Sequence, residues 1–128
     1  MTEWKSKILC VDDDNDTCEL IKFVFQKEDY EVISRSSAEE GLIEARKQKF
    51  GAIILDNRFA EMSGVEICKE IRSFDSCTPI IFFSGEARIK EINKALASGA
   101  TDYLVKPNDF ERLTETVIKL IENRIDSD

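Results

Sequence analysis

Three short runs of the chain are apolar at every position: Ile8-Leu9-Cys10-Val11, Ala52-Ile53-Ile54-Leu55 and Ile80-Ile81-Phe82-Phe83. Continuous rather than alternating runs of this length predict parallel strands covered on both faces. A polar residue follows each run directly: Asp12, Asp56 and Ser84. Tyr30 to Ser34, with its Val32-Ile33 pair, reads as a further strand, and Thr101 to Lys106 as a short fifth one. Between them the spacing turns helical. Leu20, Ile21 and Val24 give an apolar stripe over Asp16 to Gln26, and Ser37 with Glu40 forms a capping box for a helix ending near Phe50-Gly51. Gly64 to Phe74 places Val65, Cys68 and Ile71 on one face, and Pro79 marks entry to the next strand. Ile89, Ile92 and Leu96 mark a fourth helix closed by Ser98-Gly99, with Gly99 suited to a left-handed cap. Asn108, three residues before Glu111, is placed to cap a last helix with Phe110, Leu113, Val117, Leu120 and Ile121 as its core stripe. Five βα units of this kind predict an α/β fold with a doubly wound parallel sheet.

At 128 residues, 42% hydrophobic and 34% charged, the chain fits one domain over residues 1–128, with short polar ends at about 1–6 and 124–128. The formal charge of -8 disfavours nonspecific nucleic-acid binding, which relies on basic residues to displace counterions. No run reaches membrane-spanning length, and residues 1–7 lack the apolar core of a signal peptide, so a cytoplasmic location is expected. The four cysteines form no Cys-x-x-Cys pair and there is no histidine, which leaves them as reduced, apolar side chains and removes histidine-based triads.

In open parallel sheets, ligands sit outside the carboxyl ends of the strands, so residues distant in sequence converge there. Taken singly, Asp12-Asp13-Asp14 fits a solvated turn, Ser84 a strand-end hydroxyl, Tyr103 half-buried packing and Lys106 a surface charge. Together with Asp56 they describe something else. Two carboxylates about 4 Å apart repel by roughly 4 kcal/mol at an effective dielectric near 20, a conflict that a hard divalent cation resolves. Magnesium takes oxygen ligands octahedrally and keeps several waters, so one or two carboxylates and a carbonyl suffice. An ion of that kind, an ammonium and a hydroxyl are what an aspartate needs to accept a phosphoryl group.

The motifs Val-Asp-Asp-Asp at 11–14, Leu-Asp at 55–56 followed by Met62-x-Gly64, Ser84, and Asp-Tyr-Leu-Val-Lys-Pro at 102–107 resemble, over nearly the whole length, the receiver domains of two-component response regulators. The resemblance implies a flavodoxin-like sheet of order 2-1-3-4-5 and a cis Lys106-Pro107 bond. It implies Asp56 as phosphoacceptor, and Asp12 and Asp13 as the acidic pair holding Mg2+, with Asp13 the direct ligand and Arg58 adding its backbone carbonyl. Ser84 is similar to the switch hydroxyl, Tyr103 to the switch aromatic and Lys106 to the family's lysine. Ala60, Gly85 and Asn108 depart from residues common in the family, and none removes a reactive group.

The expected function is that of a single-domain response regulator. It takes phosphate from a histidine kinase or phosphotransfer protein and signals to a protein target through the face of the fourth helix, fifth strand and fifth helix. It would be a self-phosphorylating and autodephosphorylating signalling domain rather than an enzyme. A magnesium-dependent aspartyl phosphatase is the alternative, disfavoured because Arg58 stands where a second aspartate would be needed. A nonphosphorylated interaction module is a further one, disfavoured because every reactive group is present. In the family, the positions of Arg58 and Glu86 border the opening through which water reaches the phosphoryl group. Here they carry opposite charges, so the pair is expected to close across that mouth and tune the lifetime of the phosphorylated state.

Overall fold

The computed structural model describes residues 3–127; Met1, Thr2 and Asp128 of the expected polar ends lie outside them. The elements alternate as β1 (Ser6–Val11), α1 (Asn15–Gln26), β2 (Tyr30–Arg35), α2 (Ala38–Lys47), β3 (Ala52–Leu55), α3 (Gly64–Arg72), β4 (Ile80–Ser84), α4 (Ile89–Ala97), β5 (Asp102–Val105) and α5 (Phe110–Ser127). All strands are parallel, in the order β2-β1-β3-β4-β5. This is the flavodoxin-like order expected of the sequence, and its switch point lies between β1 and β3.

The continuous apolar runs follow from having two cores. Successive strand residues point to opposite faces, so both sets must be apolar when both faces are covered. Ile8, Cys10, Ile54, Ile81 and Phe83 pack with α1 and α5 residues such as Ile21, Phe25, Leu113 and Val117. Leu9, Val11, Ile53, Leu55, Ile80 and Phe82 pack on the other side with Ile67, Cys68, Ile71 and Ala95.

Several boundaries and faces differ from the sequence expectation. Leu20 is exposed; α1 buries Ile21 as expected, with Val24 partly buried, and adds Cys18 and Phe25, because the helix docks through a stripe rotated away from Leu20. Ile89 and Leu96 are also exposed, leaving Ala95 as the buried residue of α4. A helix that seats on a small residue approaches the sheet closely while its larger side chains remain at the margin. The second helix stops at Lys47 rather than near Gly51, Gln48 being already extended. β1 starts at Ser6 and α5 continues to Ser127. The residue before α5 is Asp109, not Asn108, and the backbone N–H of Leu113 donates to its carbonyl. The Asp109 carboxylate turns back to accept from the Val105 N–H, tying β5 to the helix start. Gly99 takes φ +115° after α4, and the Lys106-Pro107 bond is cis.

The turn before β4 is organised by Asp75. Its buried carboxylate accepts from the backbone N–H of Cys77 and Thr78 and, at 2.6 Å, from the Thr78 hydroxyl, with Lys49 at 3.6 Å. Burial alone would raise its pKa, but the Thr78 and Cys77 hydrogen bonds and the Lys49 charge outweigh it and hold the group at about 2. A carboxyl depressed in the folded state stabilises above its unfolded pKa and loses that contribution as pH falls through the folded one. The difference from 3.8 corresponds to about 2 kcal/mol. Asp75→Ala is therefore expected to cost roughly that much at pH 7, with the deficit shrinking between about pH 4 and 2; denaturant titrations across that range check it.

Candidate functional site

The site forms where β1, β3, β4 and β5 end at one edge of the sheet. Asp12 directly follows β1 and is held by a bond from its N–H to the Arg35 carbonyl. Its side chain is buried, with Oδ1 accepting from the Asp14 N–H and Oδ2 from Lys106 Nζ at 2.8 Å. Asp13 is exposed. Asp14 is the N-cap of α1, accepting from the Asp16 N–H and the Thr17 hydroxyl. Three adjacent acids thus divide into a buried one, an exposed one and a helix cap.

Asp56 follows β3 and is buried; its Oδ1 accepts from the Asn57 N–H at 2.8 Å and is ion-paired with Lys106 Nζ, 3.8 Å away. Burial pushes its pKa up and the charge of Asp12 pushes it further; Lys106 and the Asn57 and Ser84 hydrogen bonds oppose this. For Lys106, burial acts to lower the pKa. The Asp12 hydrogen bond and the charges of Asp56 and Asp12 win, and the ammonium titrates above its ordinary range. Asp12, Asp13 and Asp56 each offer an oxygen within 4.8 Å of the others. Hard oxygen donors with one exposed member and an unresolved excess of negative charge fit a magnesium ion. Gly64, at the start of α3, keeps this corner tight: a Cβ there would run into the Asp56 carbonyl oxygen and lie 2.8 Å from the Asn57 Cα.

Ser84, the last residue of β4, is buried and its Oγ accepts from the Glu86 N–H. Tyr103 on β5 lies inward, stacked on Phe82 with centroids 5.4 Å apart and rings 8° from parallel. Its hydroxyl donates to the Glu86 carbonyl at 2.7 Å and accepts from Asn57 Nδ2 at 3.4 Å. The loop after β4 is thereby tied to both the end of β3 and the middle of β5.

The Arg58 and Glu86 side chains meet at 3.0 Å. Arg88 was missing from the sequence reading and holds the same carboxylate more closely, at 2.6 Å with further bonds from Nε and its N–H. These contacts, those of Arg88 first, keep the Glu86 carboxyl well below the usual carboxylate range. Asn57 was missed as well; its only sequence signal is an amide directly after Asp56 at the end of an apolar run.

Residues 8–118 match the family model for the response regulator receiver domain. The transcriptional regulatory protein ZraR of Salmonella typhimurium is 35% identical over 121 residues, covering 94% of this chain and 27% of that protein. The chain thus spans about a quarter of the length of that regulator. A two-component response regulator from Clostridium difficile superposes with a TM-score of 0.87 at 29% identity, covering 94% of this chain and 98% of its own. TrrA of Thermotoga maritima, solved in complex with Mg(2+)-BeF, does so at 0.80 with 32% identity, covering 94% and 99%. No helix among the described residues is long and apolar enough to cross a membrane. The chain belongs to the response regulator receiver domain family, the signalling domains of two-component systems.

Proposed function

We propose that this receiver accepts a phosphoryl group on Asp56 from a histidine kinase or phosphotransfer protein and switches a protein-binding surface in response. The observation that carries the reading is the convergence of Lys106 Nζ, 2.8 Å from Asp12 and 3.8 Å from Asp56, on a cluster of three carboxylates. A carboxylate oxygen of Asp56 attacks phosphorus, the bond from phosphorus to the donor's imidazole nitrogen breaks, and the imidazole leaves with the electron pair and takes up a proton. Asp12, Asp13 and Asp56, with the Arg58 carbonyl, would hold Mg2+, which supplies positive charge against the phosphoryl oxygens. Lys106 supplies a second cation on the strand-edge side, and Ser84 a hydroxyl donor.

The same contacts suggest how the state is transmitted. A phosphoryl group brings roughly -1.5 to -2 charge and strong acceptors. A Ser84 hydroxyl turning to it pulls on the loop that also carries the Glu86 N–H and carbonyl, which are bonded to Ser84 and Tyr103. Tyr103 thereby couples the acceptor to the face of α4, β5 and α5. Glu86, bridged between Arg58 and Arg88, stands beside this loop and is read as tuning the lifetime of the acyl phosphate.

Incubation with acetyl phosphate and magnesium, followed by mass spectrometry, tests the reading: a magnesium-dependent adduct on Asp56 is expected, and an adduct elsewhere or none overturns it. A decay chase of the same sample reads the lifetime. Because Arg88 keeps hold of Glu86, Arg58→Ala is expected to change the decay only about two- to fivefold, equivalent to less than ~1 kcal/mol on the barrier. An unchanged decay would remove Arg58 from that role.

A further inference from the structure

Cys10 and Cys18 are absorbed by nothing above. Cys10 points from β1 into the core shared with α1, and Cys18 on α1 faces it with the two sulphur atoms 4.0 Å apart. Cys68 belongs to the core on the opposite face of the sheet and Cys77 is exposed, so the pairing is confined to one corner. That corner adjoins the acidic site: Cys18 Sγ donates to the Asp12 carbonyl at 3.4 Å, and Cys10 lies two residues before Asp12. An open cleft borders it. Cys18 lines a cleft of about 270 Å³ with Asn15, Ser34, Arg35, Ser36 and Glu40, whereas Cys10 is wholly buried behind it. Cys18 is itself buried, at 5% exposure, but belongs to the wall of a cleft that a small polar molecule can enter, and its sulphur lies 4.0 Å from that of Cys10.

We propose that Cys10 and Cys18 are a peroxide-oxidisable dithiol whose closure weakens the acidic site. The Cys18 sulphur attacks one oxygen of a hydroperoxide, the O–O bond breaks, and a sulfenic acid forms with release of water or the corresponding alcohol. The Cys10 thiol then attacks that sulphur, the S–O bond breaks and a second water leaves, taking up the thiol proton. Two thiols lose two electrons in all and one peroxide gains them. Closure draws the sulphur atoms from 4.0 Å to about 2.05 Å, pulling α1 against β1, and consumes the S–H that donates to the Asp12 carbonyl. The main chain at Asp12 loses a restraint just where the acidic cluster is built.

The readout is direct because trypsin leaves both cysteines in one peptide, residues 8–22. In a Cys77→Ser background, brief hydrogen peroxide treatment followed by alkylation under denaturing conditions is expected to yield that peptide with two hydrogens fewer and no alkyl groups, restored by dithiothreitol. Cys18→Ala and, independently, Cys10→Ala abolish the two-hydrogen loss. A peptide that remains fully alkylated after peroxide exposure that oxidises Cys77 in the wild type overturns the proposal, as does Cys18 sulfinic acid without a disulfide. The second readout is the magnesium-induced rise in melting temperature, expected to shrink at least twofold in the oxidised protein. An unchanged rise overturns the coupling. That readout rests on the proposed metal site, and a reduced protein that fails to respond to magnesium at all indicts that reading instead, leaving the peptide result to decide the disulfide.

Discussion

Asp56→Asn is expected to abolish phosphoryl uptake from acetyl phosphate and from any histidine donor, with no residual magnesium-dependent adduct. The amide oxygen is neutral and a poor nucleophile, and the product would not be an acyl phosphate, so no neighbouring group can substitute for the lost carboxylate. Asp12 cannot take over, since one of its oxygens is bonded to Lys106 and the other to the Asp14 N–H. The same change is expected to stabilise the metal-free fold. The Asp56 carboxyl is held above its ordinary pKa by burial and by Asp12. A group whose folded pKa is raised and that is ionised at neutral pH destabilises there, and the penalty disappears as pH falls below its unfolded value. Loss of the adduct together with a higher melting temperature at pH 7, the latter fading near pH 4, is the expected pair of results. Labelling equal to wild type would end the assignment of Asp56, and a lower melting temperature would show that its contacts with Asn57 and Lys106 outweigh the repulsion.

Lys106→Met keeps most of the aliphatic stem and removes the charge, which lies over the Phe83 ring. The expected cost is about 3 kcal/mol at pH 7 without magnesium, the lower end of the range for breaking a buried ion pair because Lys106 is itself partly exposed. Asp12, buried and bonded at 2.8 Å, would be left facing Asp56 with no cation between them. The folded pKa of Lys106 is raised, so its contribution is fully present below the unfolded value near 10.5 and is lost only as pH rises past the folded one. Magnesium is expected to restore part of the loss in the variant, because it supplies charge to the same oxygens. Phosphoryl uptake should still fall by about 10²–10³, the effect of removing one preorganised donor from a charge-developing site. Melts with and without magnesium separate the two effects from the rate. A variant as stable as wild type in the absence of the ion would show that the carboxylates relieve their repulsion by protonation alone.

Much of this was legible in order along the chain. The strands were visible because a parallel sheet covered on both faces demands apolar residues at consecutive positions, and their polar successors marked the edge where the site forms. The opposite charges of Arg58 and Glu86, 28 residues apart, were readable as residue types, and their 3.0 Å contact then followed from parallel β3 and β4 ending side by side. Helix faces were less legible. Leu20, Ile89 and Leu96 satisfy helical periodicity yet lie outside the core, because a period gives the width of an apolar stripe and not the rotation at which the helix seats.

What the sequence alone determined was therefore the kind of fold and the inventory of reactive groups. Both follow from local pattern and residue chemistry. Tertiary structure decided which group does what. It separated Asp14, spent on capping α1, from Asp12, spent on Lys106, although the two are nearly adjacent in the chain. It brought Asn57 to Tyr103, and set Cys10 against Cys18 beneath the acidic edge. The physical reason is that such contacts join residues as far as 94 positions apart, and strand order, register and helix rotation place them only once the whole chain has packed.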